Sequence, residues 1–163
     1  YYDEDNLHGI LISMEKDHHR ASALLDDFLP YVDNWATCDG FCPKILRTQP
    51  DRLWSHLLRW LASKEIYTVR FALVRLTAWY LDAPLFSTAV LDAALSTHGD
   101  DYYIRMAQAW LLATAWAKSR VRMLSYIENC HLDDWTWNKF IQKCCESYRV
   151  SAEDKNFLRS LKR

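Results

Sequence analysis

Glycine and proline are scarce in this chain, three and four among 163 residues, and no β-hairpin signal stands out. Few breakers and no hairpin turns exclude a β-sandwich or barrel and leave an all-α chain. No apolar run approaches the roughly 20 residues a membrane span needs, and no secretion leader is visible, so no membrane partner is expected. A net charge of −1 lacks the basic excess of non-specific nucleic-acid binders. It leaves open a segregated basic face, because distribution matters more than the sum. The only strongly basic stretch is the end, Arg149 to Arg163. Five cysteines are an odd number. Cys38 and Cys42 share i, i+4 spacing and Cys144 and Cys145 are adjacent, but no His or Cys pair supplies a convincing second half. Buried thiols in a reducing cytoplasm, without metal or cofactor, are therefore expected. His18-His19, in a charged stretch, reads as solvated. The chain starts Tyr1-Tyr2-Asp3, which suggests a fragment of something longer.

Half of the residues are hydrophobic, enough for one domain with a sizeable core. Tyr67-Thr-Val-Arg70-Phe-Ala72 recurs 35 residues later as Tyr102-Tyr-Ile-Arg105-Met-Ala107. A looser copy, Trp137-Asn-Lys139-Phe-Ile141, puts Lys139 34 residues after Arg105. A fixed period of this size predicts stacked helical pairs, none able to bury its apolar face alone. Stacking would set Arg70, Arg105 and Lys139 in a row suited to an anion.

Helices are expected near 5–17, 19–29, 33–47, 51–63, 65–81, 84–98, 101–117, 120–130, 134–148 and 152–162. Short connections make consecutive helices antiparallel neighbours. Leu53, Trp54, Leu57, Leu58 and Leu61 mark one apolar stripe. Thr48-Gln49-Pro50 reads as an N-cap before a first-turn proline, Gly99-Asp100 as a C-cap glycine beside a new N-cap, and Ser151 to Asp154 as a capping box. The expected architecture is a right-handed α-solenoid of antiparallel pairs, a single domain over 1–163 lacking an N-terminal portion.

Trp35 and Asp39 lie one helical turn apart on one face. If second helices line the concave side, Trp35, Asp39, Arg70, Arg105, Trp110 and Lys139 converge on one groove. Cations suit phosphates, indoles suit cationic or sugar-like groups, and a carboxylate suits a developing positive charge. Trp54, Trp60, Trp79, Trp116, Trp135 and Trp137 read as packing. Each singled-out residue also has a plain structural role open to it: indoles in a core, Asp39 in a cap or salt bridge, Arg70 and Arg105 paired with acids of the adjacent repeat.

Four segments in register carry a resemblance: Asp33-Asn-Trp35-Ala-Thr-Cys-Asp39, Thr68-Val-Arg70-Phe-Ala72, Ile104-Arg-Met-Ala-Gln-Ala-Trp110 and Lys139-Phe-Ile-Gln-Lys-Cys-Cys-Glu-Ser-Tyr148. Spanning roughly residues 25–150, they resemble the HEAT-like-repeat (AlkD-like) DNA glycosylases of the DNA alkylation repair family. The resemblance implies a cleft of Trp35, Asp39 and Trp110 with Arg70 between them. It also implies excision of cationic N3- or N7-alkylated purines from duplex DNA by a monomer. The lesion need not enter a deep pocket, unlike in base-extruding enzymes.

Such a purine already carries a positive charge and departs neutral, so a strong general acid is unnecessary. The charge passes to the deoxyribose as the bond breaks, where Asp39 would stabilise it and orient water. Trp35 and Trp110 would hold the sugar and backbone by contacts worth about 0.5–2 kcal/mol each. Arg70 would fix a neighbouring phosphate, with Arg105 and Lys139 as further backbone contacts. Two alternatives use the same fold: a catalytically inactive module binding DNA structures or a protein, and a plain solenoid adaptor. The adaptor predicts that Trp35 and Trp110 are buried.

Overall fold

A computed structural model of the chain describes residues 1–97 and 100–163. Among these lie ten α-helices and no strand: α1 (Tyr2–Ser13), α2 (His18–Phe28), α3 (Trp35–Gly40), α4 (Pro50–Leu61), α5 (Ile66–Trp79), α6 (Thr88–Leu95), α7 (Tyr102–Lys118), α8 (Arg120–Ile127), α9 (Asp134–Glu146) and α10 (Ala152–Ser160). The all-α expectation holds. The chain divides into two compact units, Tyr1–Val74 and Arg75–Arg163, and the division falls inside α5.

Local chemistry explains most helix starts. The side chains of Asp17, Asn34, Asp101, Asp133 and Ser151 each accept a first-turn backbone N–H and satisfy a donor the helix leaves open. Asp101, not Asp100, caps α7, and Gly99 lies outside the described residues. Gln49 rather than Thr48 stands at the N-cap of α4, with no side-chain bond, while Pro50 opens the helix as expected. Ser151 Oγ accepts from Asp154 N–H, but the Asp154 carboxylate pairs with Arg120 instead of closing a capping box.

The helix expected over 33–47 breaks in two. α3 ends at Gly40, Phe41 turns extended, and a short 3-10 stretch follows over Lys44–Thr48. Pro43 disfavours the helical region for the residue before it and removes a donor from any continuing helix. Pro84 likewise lies in the non-helical stretch before α6, which starts at Thr88 rather than near 84.

In the first unit α4 buries Leu53, Leu57, Trp60 and Leu61, an i, i+4, i+7, i+8 stripe. Leu58, expected on that stripe, is 44% exposed at its margin. Rings chain through the core: Phe28 to Phe41 at 5.3 Å, Phe41 to Phe71 at 5.4 Å, Trp60 to Phe71 at 5.6 Å. α1 approaches this chain at Gly9, where an added Cβ would stand 2.8 Å from Phe41. His18, expected to be solvated, opens α2 and is buried, with neither ring nitrogen hydrogen-bonded. Placing the helix start there turns its imidazole inward, 6.2 Å from the His56 ring, while His19 stays outside. Burial, with Arg52 nearby, pushes the His18 pKa down, and burial together with Arg59 does the same for His56.

The second unit packs α7 on α9 around buried Ile104, Leu111, Ala115, Trp116, Phe140 and Ile141. Trp116 stacks at 6.2 Å on Phe157 of α10. Cys144 is buried here, and loss of hydration pushes its thiol up to about 12.

Polar ties recur one period apart in sequence. Asp26 accepts from Arg59 and from Trp60 Nε1, both at 2.7 Å, across separations of 33 and 34 residues. In the second unit Lys118 donates to Asp82, Tyr126 to Asp92 and Arg120 to Asp154, across 36, 34 and 34 residues.

Candidate functional site

In the first unit the site is built on α3. Asn34 accepts the Thr37 N–H at 2.8 Å and starts the helix at Trp35. Thr37 Oγ1 donates to Asn6 of α1 at 2.8 Å, and the buried Cys38 thiol donates to the Tyr67 carbonyl at 3.3 Å, so the short helix is held on both sides. Trp35 nevertheless keeps 55% of its surface exposed. Asp39, one turn on, shares its face. Arg70 of α5 grips Asp39 as a fork: Nε to Oδ1 at 2.9 Å and Nη2 to Oδ2 at 2.6 Å. The guanidinium is nearly buried and the carboxylate retains 21% exposure. Parallel bonds of this kind fix the plane and direction of the carboxylate as well as its charge.

In the second unit α7 presents Trp110, 42% exposed, at the edge of a cavity of about 300 Å³. Towards the start of the same helix Arg105 donates to Asp133 and to Thr136 Oγ1. Burial alone would raise Asp133, but the Thr136 hydroxyl and N–H and the Arg105 guanidinium outweigh it and hold the carboxyl down at about 2. Arg105 also lies 4.8 Å from the centre of the Trp135 ring, and Lys139 Nζ lies 5.5 Å from it. The Tyr102 ring meets the same indole in an edge arrangement, with ring centroids 5.7 Å apart. The result is a partly exposed aromatic platform carrying two cations.

A family model described as DNA alkylation repair enzyme matches residues 1–152. The chain belongs to the DNA alkylation repair family. No curated protein and no solved structure gives a match. Membership makes DNA the expected class of partner, in repair of alkylation. No described helix is long and apolar enough to cross a membrane, and no cluster of metal-ligating side chains occurs among the described residues.

For this family member, Trp35, Asp39 and Arg70 fall in the first unit, and Arg105, Trp110 and Lys139 in the second. Asp39 and Arg70 are brought into direct contact, and Arg105 and Lys139 meet on one ring. The two arginines of the sequence repeat both pair with a distant acid, Arg70 with Asp39 31 residues before it and Arg105 with Asp133 28 residues after it. Lys139 donates to Gln142 at 2.8 Å. Trp60, Trp116 and Trp137 are core residues as read from sequence, whereas Trp135 is a half-buried platform rather than plain packing. Its signal was present in the i, i+4 spacing to Lys139. Lys143 and Arg149, which line the cavity beside Trp110, were not read as site residues because only the turn after α9 brings them together.

Proposed function

We propose that the chain is a DNA glycosylase that hydrolyses the N-glycosidic bond of cationic N3- and N7-alkylated purines in duplex DNA, on a right-handed solenoid of HEAT-like repeats. The observation that carries this reading is the oriented carboxylate: Asp39 fixed by the Arg70 fork, one turn from an exposed indole. As the alkylated base leaves neutral, positive charge collects on the deoxyribose, and a fixed carboxylate lowers the energy of that state without reorganising. Trp35 and Trp110 hold the sugar and its flanking backbone by their faces. Arg70, expected to fix a phosphate, enters instead as the group that positions Asp39, with which it pairs. Arg105 and Lys139, on Trp135, serve the DNA backbone. The repeat reading draws support from the polar ties 33 to 36 residues apart in sequence. The exposure of Trp35 and Trp110 runs against a plain adaptor, which would bury both.

The test is release of 7-methylguanine and 3-methyladenine from alkylated duplex. Loss of an electrostatic stabiliser of this type costs on the order of 10²-fold in rate. Asp39→Asn should lose about that much, and Trp35→Ala should lose activity while unfolding within about 0.5 kcal/mol of the parent, because the ring is mostly outside the core. Release unchanged in both variants would remove the proposed roles. A second reading, an inactive DNA-binding module, is favoured by the same ion pair, since Arg70 partly neutralises the acid. It predicts salt-dependent binding of duplex with no base released by the unmodified protein.

A further inference from the structure

We infer that the cavity beside Trp110 is a phosphodiester subsite, in which Lys143 and Arg149 take one phosphate of a nucleic-acid strand while the exposed indole takes the adjoining sugar or base. This rests on the reading that the chain acts on DNA, and it names how a strand is held there. The cavity, about 300 Å³, is lined by Trp110, Thr114, Lys143, Glu146, Ser147 and Arg149. The cations picked out by the sequence repeat are occupied: Arg70 by Asp39, Arg105 by Asp133, Lys139 by Gln142. Neither the Lys143 ammonium nor the Arg149 guanidinium has a hydrogen bond or ion pair to any described residue. Two like charges beside one cavity repel unless an anion lies between them.

The fold brings them together by a defined turn. α9 ends with the Ser147 N–H on the carbonyls of Lys143 and Cys144, at 3.1 and 3.2 Å. The Ser147 hydroxyl then accepts the Arg149 N–H at 3.2 Å, which reverses the chain and returns Arg149 to the cavity that Lys143 lines. Glu146 also lines it, its carboxylate accepting from Gln142 Nε2 at 2.7 Å, so the lining carries a net formal charge of +1. An arginine fork and a lysine point charge suit the two non-bridging oxygens of a phosphodiester. An indole in the same cavity adds a stacking surface, which suits a strand better than a free anion.

The experiment is fluorescence anisotropy of the full chain with an undamaged labelled duplex across a KCl series. Each lost phosphate contact should flatten the slope of log affinity against log salt by about 0.9. Lys143→Gln and Arg149→Gln should each flatten it in part, the double variant by about 0.9 in all because both hold one phosphate, and Lys143→Arg should keep the parent slope. Glu146→Gln should tighten binding, which a merely structural role would not do. An unchanged slope in the double variant, with its unfolding midpoint preserved, overturns the subsite. Inorganic phosphate that competes with duplex beyond an equal ionic strength of chloride overturns the strand assignment in favour of a small anion. Base release is measured separately: release with an unchanged slope defeats the subsite alone, whereas a flattened slope without release defeats only the glycosylase reading.

Discussion

Asp39→Asn keeps the shape of the side chain and removes the charge facing Arg70. The two bonds at stake are short and parallel, 2.6 and 2.9 Å, the amide oxygen can keep only one of them, and Arg70 is 8% exposed. Stripping one partner from a fully buried ion pair costs about 3–5 kcal/mol, while a solvated surface pair contributes about 1 kcal/mol or less. Asp39 keeps 21% of its side chain in water, which places the cost between those limits, at about 2–3 kcal/mol. For a chain of this size each kcal/mol moves the melting midpoint by about 2–4 °C, so a fall of about 5–10 °C is expected. Urea denaturation of Asp39→Asn, Arg70→Met and the double variant supplies a cycle. The double variant should recover part of the loss, since no orphaned charge remains, with a coupling of at least about 1 kcal/mol. A single variant within about 0.5 kcal/mol of the parent, or additive singles, would show that the pair is solvated and does not position the carboxylate.

Gly9→Ala sets about 1 kcal/mol of helix propensity against a Cβ 2.8 Å from the Phe41 ring. Because that ring is wedged between Phe28 and Phe71, net destabilisation of about 1 kcal/mol is expected by urea titration, and a more stable variant would show that the ring yields. His18 and His56 have folded pKa values below those of the unfolded chain, so the unfolded state takes up protons first. Their contribution is complete above about pH 6.5 and declines as pH falls below it. Denaturation midpoints at pH 7.5 and 5.5 should therefore differ, with His18→Leu narrowing the gap, and an equal gap in that variant would refute the assignment.

Helix content was legible because composition and period speak through every residue of a repeat, as at Leu53, Leu57 and Leu61. Breaks were less so: one proline at 43 outweighed an apolar stretch that otherwise read as helix through 47. The Arg70 and Arg105 repeat pointed to equivalent positions and also allowed their pairing with neighbouring acids. Choosing between an acid and a phosphate as partner needed Asp39 and Asp133 located in space, since they lie 31 residues before and 28 after the arginines they meet. His18 misled for a related reason. Charged neighbours imply solvent only until the helix phase is known, and a shift of one residue separates its buried ring from the exposed His19.

The aspartates at 26, 82, 92 and 154 act as rivets, each fastening a partner 34 to 36 residues away within its own compact unit. Damage to one rivet is therefore contained within the unit that holds it. Loss of one such tie should loosen the fold locally before it unfolds the whole, because stability is not uniform across a structure.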